Sequence, residues 1–151
     1  MNQSVQRTVL LTGSEGFLGQ AIQRFAPENI LLVTTDLNDG GGSADSESKK
    51  FKQLDILKAN PEDFENVDIV IHNAGLFDLT ASRDALMKVN VQGSKRVATA
   101  ATKAGVSHFI QVSSTSVYGP KHAPIHEFVT NKTPVHHYGA SKWLGECESE
   151  S

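Results

Sequence analysis

The sequence of 151 residues has one cysteine, Cys147, so no disulfide can form within the chain. No apolar run approaches the ~20 residues of a membrane-spanning helix, and residues 1–7 lack the apolar core of a signal peptide. Lys and Arg are outnumbered by Asp and Glu, 14 to 17, and are scattered. We therefore expect a protein of the reducing cytoplasm that binds neither nucleic acid nor membrane.

The six histidines do not form a metal-binding pattern. His122 and His126 are four residues apart but lie in a stretch with several prolines, and no pair of cysteines supports them. We therefore predict no metal site. The adjacent His136 and His137 are interpreted as part of a solvated loop, with a substrate contact as the alternative.

The apolar pattern alternates between strands and helices. The length predicts one domain, and the loop predicted at 38–50 explains part of a hydrophobic fraction of only 38%. Helices are expected from residue 17 to about 26 and, briefly, after Asn60. A long helix is expected over 82–104 with Gly105 as its stop. A last helix is expected to begin at Tyr138 and to fray at 145–151. Strands are expected at residues 8–12, 30–36, 51–54, 67–72 and 106–113. This alternation predicts an α/β fold with a doubly wound parallel sheet, whose ligands lie at the carboxyl ends of the strands.

A glycine-rich turn joins the first predicted strand to the first helix. Gly13 permits a tight turn, Gly16 lets the backbone approach a pyrophosphate, and Gly19 lets helix and strand pack closely. Phe17 and Leu18 belong to the first helical turn, whose free N–H groups attract phosphates. The segment therefore predicts dinucleotide binding, with a plain turn as the alternative.

Acidic and small residues follow the next strands. Asp36 ends the second strand, where a carboxylate accepts hydrogen bonds from the adenosine ribose and repels a 2′-phosphate, so NAD is favoured over NADP. Asp55 and Ile56 are candidates for adenine contacts, and Asn73-Ala74-Gly75 let the chain pass close under a cofactor. The alternatives are a turn-capping Asp36, a turn Asp55 and an ordinary turn at 73–75.

Four further residues have polar groups that we expect in the site, three of them suited to catalysis. Tyr138 and Lys142 share one helix face, where an ammonium favours the phenolate and makes the tyrosine a general acid or base. Ser114 follows the fifth strand and can donate to a substrate oxygen, with a serine-rich turn as the alternative. Asn90 lies on the apolar face of the long helix and needs a partner, which we expect to be main chain near the fourth strand.

These motifs together resemble the extended short-chain dehydrogenase/reductase family, which includes NAD-dependent epimerases and dehydratases. The resemblance implies a Rossmann-like NAD(P)-binding domain over residues 1–151, without the C-terminal substrate domain. It implies that Tyr138 is the acid/base, that Lys142 binds the nicotinamide ribose and that Ser114 is catalytic. The matching segments, in family order, are 12–19, 72–75, 90–93, 113–119 and 138–146.

The resemblance also bears on partners and on the reaction. It implies a homodimer through the helices near 82–104 and 138–150, and hydride transfer to or from a small-molecule substrate such as a nucleotide sugar. Thr115-Ser116 stands where the family's 4,6-dehydratases have an Asp-Glu pair, which counts against elimination. The alternative function is a dinucleotide-binding module without turnover of its own.

Overall fold

A computed structural model describes residues 6–39, 48–120, 124–126, 128–129 and 131–150 of the chain. Most of the loop predicted at 38–50, and His122 of the histidine pair, lie outside these residues. The chain divides into two compact units. The first unit comprises Met1–Ala74 and Arg96–Val112, and the second comprises Gly75–Lys95 and Ser113–Ser151.

The first unit contains a five-stranded sheet in which every neighbouring pair is parallel. The spatial order is β3-β2-β1-β4-β5, so the predicted doubly wound, Rossmann-like fold is confirmed. The strands are β1 (Arg7–Thr12), β2 (Ile30–Asp36), β3 (Lys49–Gln53), β4 (Ile69–His72) and β5 (His108–Gln111).

The central strand β1 is the most buried of the five. Leu10 and Leu11 are fully buried, and Leu11 packs with Val9 and Leu32 in the core beside β2. In the register, Thr12 pairs with Thr35 of β2 and with His72 of β4. The carboxyl ends of these three strands therefore lie at one edge of the sheet, which is where ligands bind in such folds.

The predicted bounds of three strands are wrong. Strand β4 begins two residues later than predicted, at Ile69. Strand β3 begins at Lys49 rather than Phe51, so Lys49 and Lys50 belong to the sheet and not to the preceding loop. This edge strand is exposed on most of its length, so charged side chains are tolerated in it. Strand β5 covers only His108–Gln111, shorter than the predicted 106–113.

The helices of the first unit begin close to their predicted positions. Helix α1 spans Phe17–Phe25, but its two terminal phenylalanines are 96% and 79% exposed, so they do not join the core as its apolar spacing suggests. The brief helix after Asn60 is a 3₁₀ helix, Pro61–Phe64. Its start is fixed by the Asp63 carboxylate, which accepts a hydrogen bond from the Asn60 N–H at 2.9 Å.

The long helix predicted over 82–104 is present but changes its winding. It consists of α2 (Arg83–Leu86), a π-helical segment (Met87–Gly93) and α3 (Ser94–Ala104). Ser82 caps its start, since Oγ accepts from the Ala85 N–H at 3.2 Å. Gly105 ends it with a φ of +83°, as predicted, but the π-helical segment is not visible in the apolar spacing.

The last helix, α4, spans His137–Glu150 in the second unit. The predicted fraying from residue 145 is wrong, because Gly145 is buried and Glu148 pairs with Lys95 at 2.5 Å. Among the helices of the described residues, none is both long and apolar enough to cross a membrane.

Candidate functional site

The glycine loop of the first unit leaves no room for side chains at two positions. A Cβ on Gly13 would lie 2.7 Å from the Cα and N of Ala74, and Gly13 also has a φ of +66°. A Cβ on Gly19 would lie 2.2 Å from the carbonyl oxygen of Gly13. Any side chain at either position would therefore displace backbone.

Gly16 differs, because a Cβ there would meet only the Gly13 carbonyl, at 3.4 Å. Gly16 is the N-cap of α1, and the first turn of this helix contains no acidic residue. The adjoining Phe17 is almost fully exposed and Leu18 is 44% exposed. The N–H groups of this turn and the uncrowded backbone at Gly16 therefore fit an anionic diphosphate.

The end of β4 holds the glycine loop in place. Asn73 donates from Nδ2 to the Gly13 carbonyl at 2.9 Å, and the Ala74 N–H donates to Thr12 Oγ1 at 3.1 Å. The same Thr12 oxygen lies 2.8 Å from Nδ1 of His72, and both side chains are fully buried. The bracing roles of Thr12 and His72 were not predicted, since the two residues are sixty positions apart in the chain.

Asp36 has the turn-capping contacts that were the alternative interpretation. Its Oδ2 accepts from the Glu15 N–H at 3.0 Å, and its Oδ1 lies 3.4 Å from the Asn38 N–H, which donates to it. A carboxylate has about four acceptor sites, so it retains capacity for ribose hydroxyls. Asp36 therefore ties the end of β2 to the glycine loop, and its predicted role toward adenosine stays a prediction.

Asp55 likewise makes local contacts. Its Oδ1 accepts from the Leu57 N–H at 3.0 Å and so caps the 3₁₀ helix Ile56–Lys58, in which Ile56 is buried. Its other oxygen lies 3.7 Å from the Lys58 ammonium. This is the turn role named as the alternative, and the adenine contact stays a prediction.

The second unit contains the tyrosine–lysine pair, one turn apart on α4. Tyr138 is partly buried, whereas Lys142 is only 6% exposed. Burial lowers the pKa of the Lys142 ammonium below its ordinary value, and the negative charge of Glu146 opposes this shift. Lys142 is thus a buried amine whose charge depends on its neighbours.

Asn90 connects the π-helical segment to two other parts of the unit. Its Oδ1 accepts from the Leu76 N–H at 2.7 Å, and its Nδ2 donates to the Leu76 carbonyl at 3.0 Å and to Ser141 Oγ at 3.0 Å. Ser141 in turn donates to the Tyr138 carbonyl at 2.8 Å. Asn90 is 2% exposed. The main chain of Leu76 satisfies its amide, as expected of a polar group buried there, and Ser141 of α4 provides a third partner.

The π-helical segment and α4 approach each other closely. A Cβ on Gly145 would lie 2.3 Å from the Asn90 carbonyl oxygen, which also accepts a hydrogen bond from Ser94 Oγ at 2.8 Å. A Cβ on Gly75 would lie 3.1 Å from Asn90 Oδ1 and 3.6 Å from Lys142 Nζ. The glycine ending the predicted 73–75 turn therefore lies against the Asn90 amide and the buried lysine.

Ser114 is the N-cap of the 3₁₀ helix Thr115–Tyr118, because its Oγ accepts from the Ser116 N–H at 3.2 Å. Its neighbour Ser113 donates to the carboxylate of Glu146. Glu146 also accepts from Lys132. Sequence reasoning did not single out this three-residue cluster, although the spacing of four between Lys142 and Glu146 was a visible signal.

A cleft of about 460 Å³ lies beside Tyr138, and its lining is Leu79, Val135, His136, His137 and Tyr138. Outside this lining, the exposed Phe77 meets the Tyr138 ring edge-on, with centroids 5.0 Å apart. His136 accepts from the Gly139 N–H through Nδ1 at 3.2 Å, so the neutral imidazole has its proton on Nε2. Both histidines are exposed, as predicted for solvated side chains, although His137 begins α4 rather than lying in a loop.

A metal site is not formed by the residues that the structure describes, where no three His, Cys, Asp or Glu side chains converge.

The chain matches known proteins over nearly its whole length. The model of the NAD dependent epimerase/dehydratase family matches residues 9–150. An uncharacterized protein of Sinorhizobium fredii, y4nG, is 28% identical over 146 residues, which are 94% of this chain and 36% of that protein. The dTDP-D-glucose 4,6-dehydratase of Mus musculus is 30% identical over 165 residues, covering 98% of this chain and 46% of that protein.

Solved structures agree with the fold. The structure of MoeE5 in complex with UDP-glucose and NAD has a TM-score of 0.81 and 26% identity, covering 94% of this chain and 48% of that one. This chain spans less than half of the length of each of these proteins. The family resemblance is therefore confirmed, and NAD is the cofactor that the family description names.

Proposed function

Because the chain belongs to the NAD-dependent epimerase/dehydratase family, we propose that it binds NAD and supplies the acid/base of an NAD-dependent oxidoreductase or epimerase. The substrate is a small molecule with a hydroxyl or carbonyl carbon, and a nucleotide sugar is the favoured class. One observation supports this most strongly. The amine of Lys142 is buried one helical turn from Tyr138, an arrangement that a purely structural surface helix does not need.

The cofactor residues are assigned by the chemistry of their groups. The N–H groups after Gly16 hold the diphosphate, and Asp36 accepts from the adenosine ribose and disfavours NADP. Ile56 and Asp55 lie beside the adenine, and Asn90 positions Leu76 and α4. The full cofactor-binding assignment is Gly13, Gly16, Phe17, Leu18, Gly19, Asp36, Asp55, Ile56, Asn73, Ala74, Gly75, Asn90, Tyr138 and Lys142.

When bound, NAD supplies the acceptor or donor of the hydride. Tyr138 takes the proton of the substrate hydroxyl as the carbonyl forms, and returns it in the reverse direction. The ammonium of Lys142 stabilises the phenolate by its charge, and the Ser114 hydroxyl donates to the substrate oxygen. Leu79 and Val135 line the cleft beside the phenol.

The proposed reaction is oxidoreduction or epimerisation rather than elimination. Elimination of water from a sugar requires an acid and a base besides the tyrosine. Thr115 and Ser116 follow Ser114 and supply only hydroxyl groups, which are poor general acids at neutral pH. The similarity to a 4,6-dehydratase therefore does not extend to this pair.

The test compares the two tyrosines of the chain. NADH is titrated by fluorescence, and turnover is then measured with a panel of nucleotide sugars and simple carbonyl compounds. We expect Tyr138→Phe to bind NADH but to lose at least ~10²-fold in kcat, the usual contribution of a general acid or base. Tyr118→Phe, which removes the only other phenol, is expected to retain turnover.

Two results would contradict the proposal at different levels. Binding of NADH without any turnover that depends on Tyr138 would leave a dinucleotide-binding module. Absence of NADH binding in the folded chain would exclude both functions.

The proposal includes the assembly and the location of the protein. A homodimer forms through the helices near 82–104 and 138–150, as the family resemblance implies, and the single Cys147 suits a reducing cytoplasm. Light scattering at high protein concentration is expected to give twice the mass of the 16.3 kDa chain. A mass that stays at that of one chain would exclude the dimer.

A further inference from the structure

Glu146 lies in a cluster that the proposed chemistry does not use. It follows Lys142 by one turn of α4, and its two carboxylate oxygens accept hydrogen bonds from Ser113 Oγ and Lys132 Nζ. The side chains of Lys132 and Glu146 are only 22% and 15% exposed. This is an oriented, partly buried ion pair rather than a loose surface contact.

The cluster is electrostatically coupled to the buried lysine. Residues four apart on a helix have Cβ atoms ~6 Å apart, so the charge of Glu146 acts directly on the Lys142 ammonium, whose pKa it raises against the effect of burial. Burial lowers the pKa of Lys132, but the hydrogen bond and the charge of Glu146 outweigh it and raise that pKa. Glu146 therefore acts on two amines at once.

Other titratable groups surround these amines. Tyr138 precedes Lys142 by one turn on α4, and Tyr118 and Cys147 act by charge on Lys132. In the described part of the chain, the Glu146 carboxylate accepts hydrogen bonds from two other segments. We propose that Glu146 is a positioning residue that sets the charge of Lys142. Ser113 orients its carboxylate, and Lys132 partly balances its negative charge.

The proposal makes opposite predictions for the two partners of the ion pair. Glu146→Gln removes the anion and leaves Lys132 as a nearby cation, so Lys142 loses its proton at lower pH than in the wild type. Lys132→Met removes the cation and leaves the anion unbalanced, so Lys142 keeps its proton to higher pH. A merely structural role for the pair would give no reason for shifts of opposite sign.

The experiment measures the titration of Lys142 directly in the full chain. Lysine labelled with ¹³C at the ε position is titrated by NMR, and the Lys142 signal is identified as the one absent from Lys142→Met. Glu148→Gln is the matched control, because it breaks the exposed pair with Lys95 on the same helix and is expected to leave the Lys142 titration unchanged. Glu146→Asp retains a carboxylate and is expected to restore much of the wild-type titration.

The possible outcomes decide the proposal. Shifts of opposite sign in Glu146→Gln and Lys132→Met, with no shift in Glu148→Gln, support it. Shifts of the same sign, or no shift in either folded variant, overturn it. If circular dichroism shows that Glu146→Gln has lost its fold, Lys132→Met decides alone, since a shift to higher pH supports the proposal and any other result overturns it.

The importance of this charge for catalysis rests on the proposed function, but the measurement does not. The titration is made without NAD and without substrate. A chain that fails to bind NADH yet shows the opposite shifts would refute the proposed function and leave the role of Glu146 toward Lys142 intact. A chain that binds NADH and turns over with an unshifted Lys142 would refute only the role of Glu146.

Discussion

Replacing Asn90 by alanine tests how much one buried amide contributes to the second unit. The substitution removes three side-chain hydrogen bonds, two to Leu76 and one to Ser141. Each such bond contributes a net ~1 kcal/mol, and a main-chain group left without its partner costs up to ~1 kcal/mol more. We therefore expect the free energy of unfolding to fall by about 3 to 5 kcal/mol, a large part of a typical domain's ~5–15 kcal/mol.

The measurement is urea denaturation followed by the fluorescence of Trp143. This residue is the only tryptophan of the sequence and lies on α4, so it reports on the unit that contains Asn90. Asn29, exposed in the turn before β2, is the matched control, and Asn29→Ala is expected to stay within ~0.5 kcal/mol of the wild type. A loss below about 1 kcal/mol for Asn90→Ala would refute the view that its amide organises this unit.

Two further predictions concern the first unit. Gly19→Ala is expected to lower stability by ~1–3 kcal/mol, because its Cβ would lie 2.2 Å from the Gly13 carbonyl oxygen. Gly16→Ala, whose Cβ would make only an ordinary contact of 3.4 Å with that oxygen, is expected to keep the wild-type melting temperature and to lose NADH affinity. Equal effects of the two substitutions in both assays would contradict the site geometry. Burial raises the pKa of Asp63, but its hydrogen bonds with Lys52 and with the Asn60 N–H, together with the charge of Lys52, outweigh this and lower it. The ion pair therefore stabilises the fold above the ordinary carboxyl pKa of ~3.9, and this contribution, below about 1 kcal/mol for so exposed a pair, is lost as the pH falls through the lowered value. Asp63→Asn is expected to reduce this part of the acid dependence of the melting temperature, and an unchanged dependence would argue against the pair.

The approximate positions of most helices and strands could be predicted because they depend on local patterns. The apolar run of β1, the Asn60 start of the 3₁₀ helix and the Gly105 stop are each encoded within a few residues. The edge strand β3 was less visible, because Lys49 and Lys50 look like loop residues unless the pairing with β2 is known. Charged residues are ordinary at a sheet edge, so composition alone does not locate such a strand.

The parts of the candidate site that escaped prediction depend on long-range contacts. The π-helical winding at Asn90 accompanies the close approach of Gly145, fifty-five positions later, and one of the partners of its amide is Ser141. The cluster at Glu146 requires Ser113 and Lys132 from two other segments. Spacing along the sequence shows which side chains share a helix face, but not which distant groups satisfy them.

The contact between Asp36 and the glycine loop has a consequence for changing coenzyme preference. The carboxylate proposed to select against a 2′-phosphate is also the acceptor of the Glu15 N–H, at 3.0 Å. A substitution that admits the extra phosphate by removing this charge also releases the backbone of the loop next to Gly16. A substitution of Asp36 therefore changes both the selectivity between NAD and NADP and the order of the glycine loop. A variant library aimed at NADP needs a second substitution that supplies a new acceptor for the Glu15 N–H.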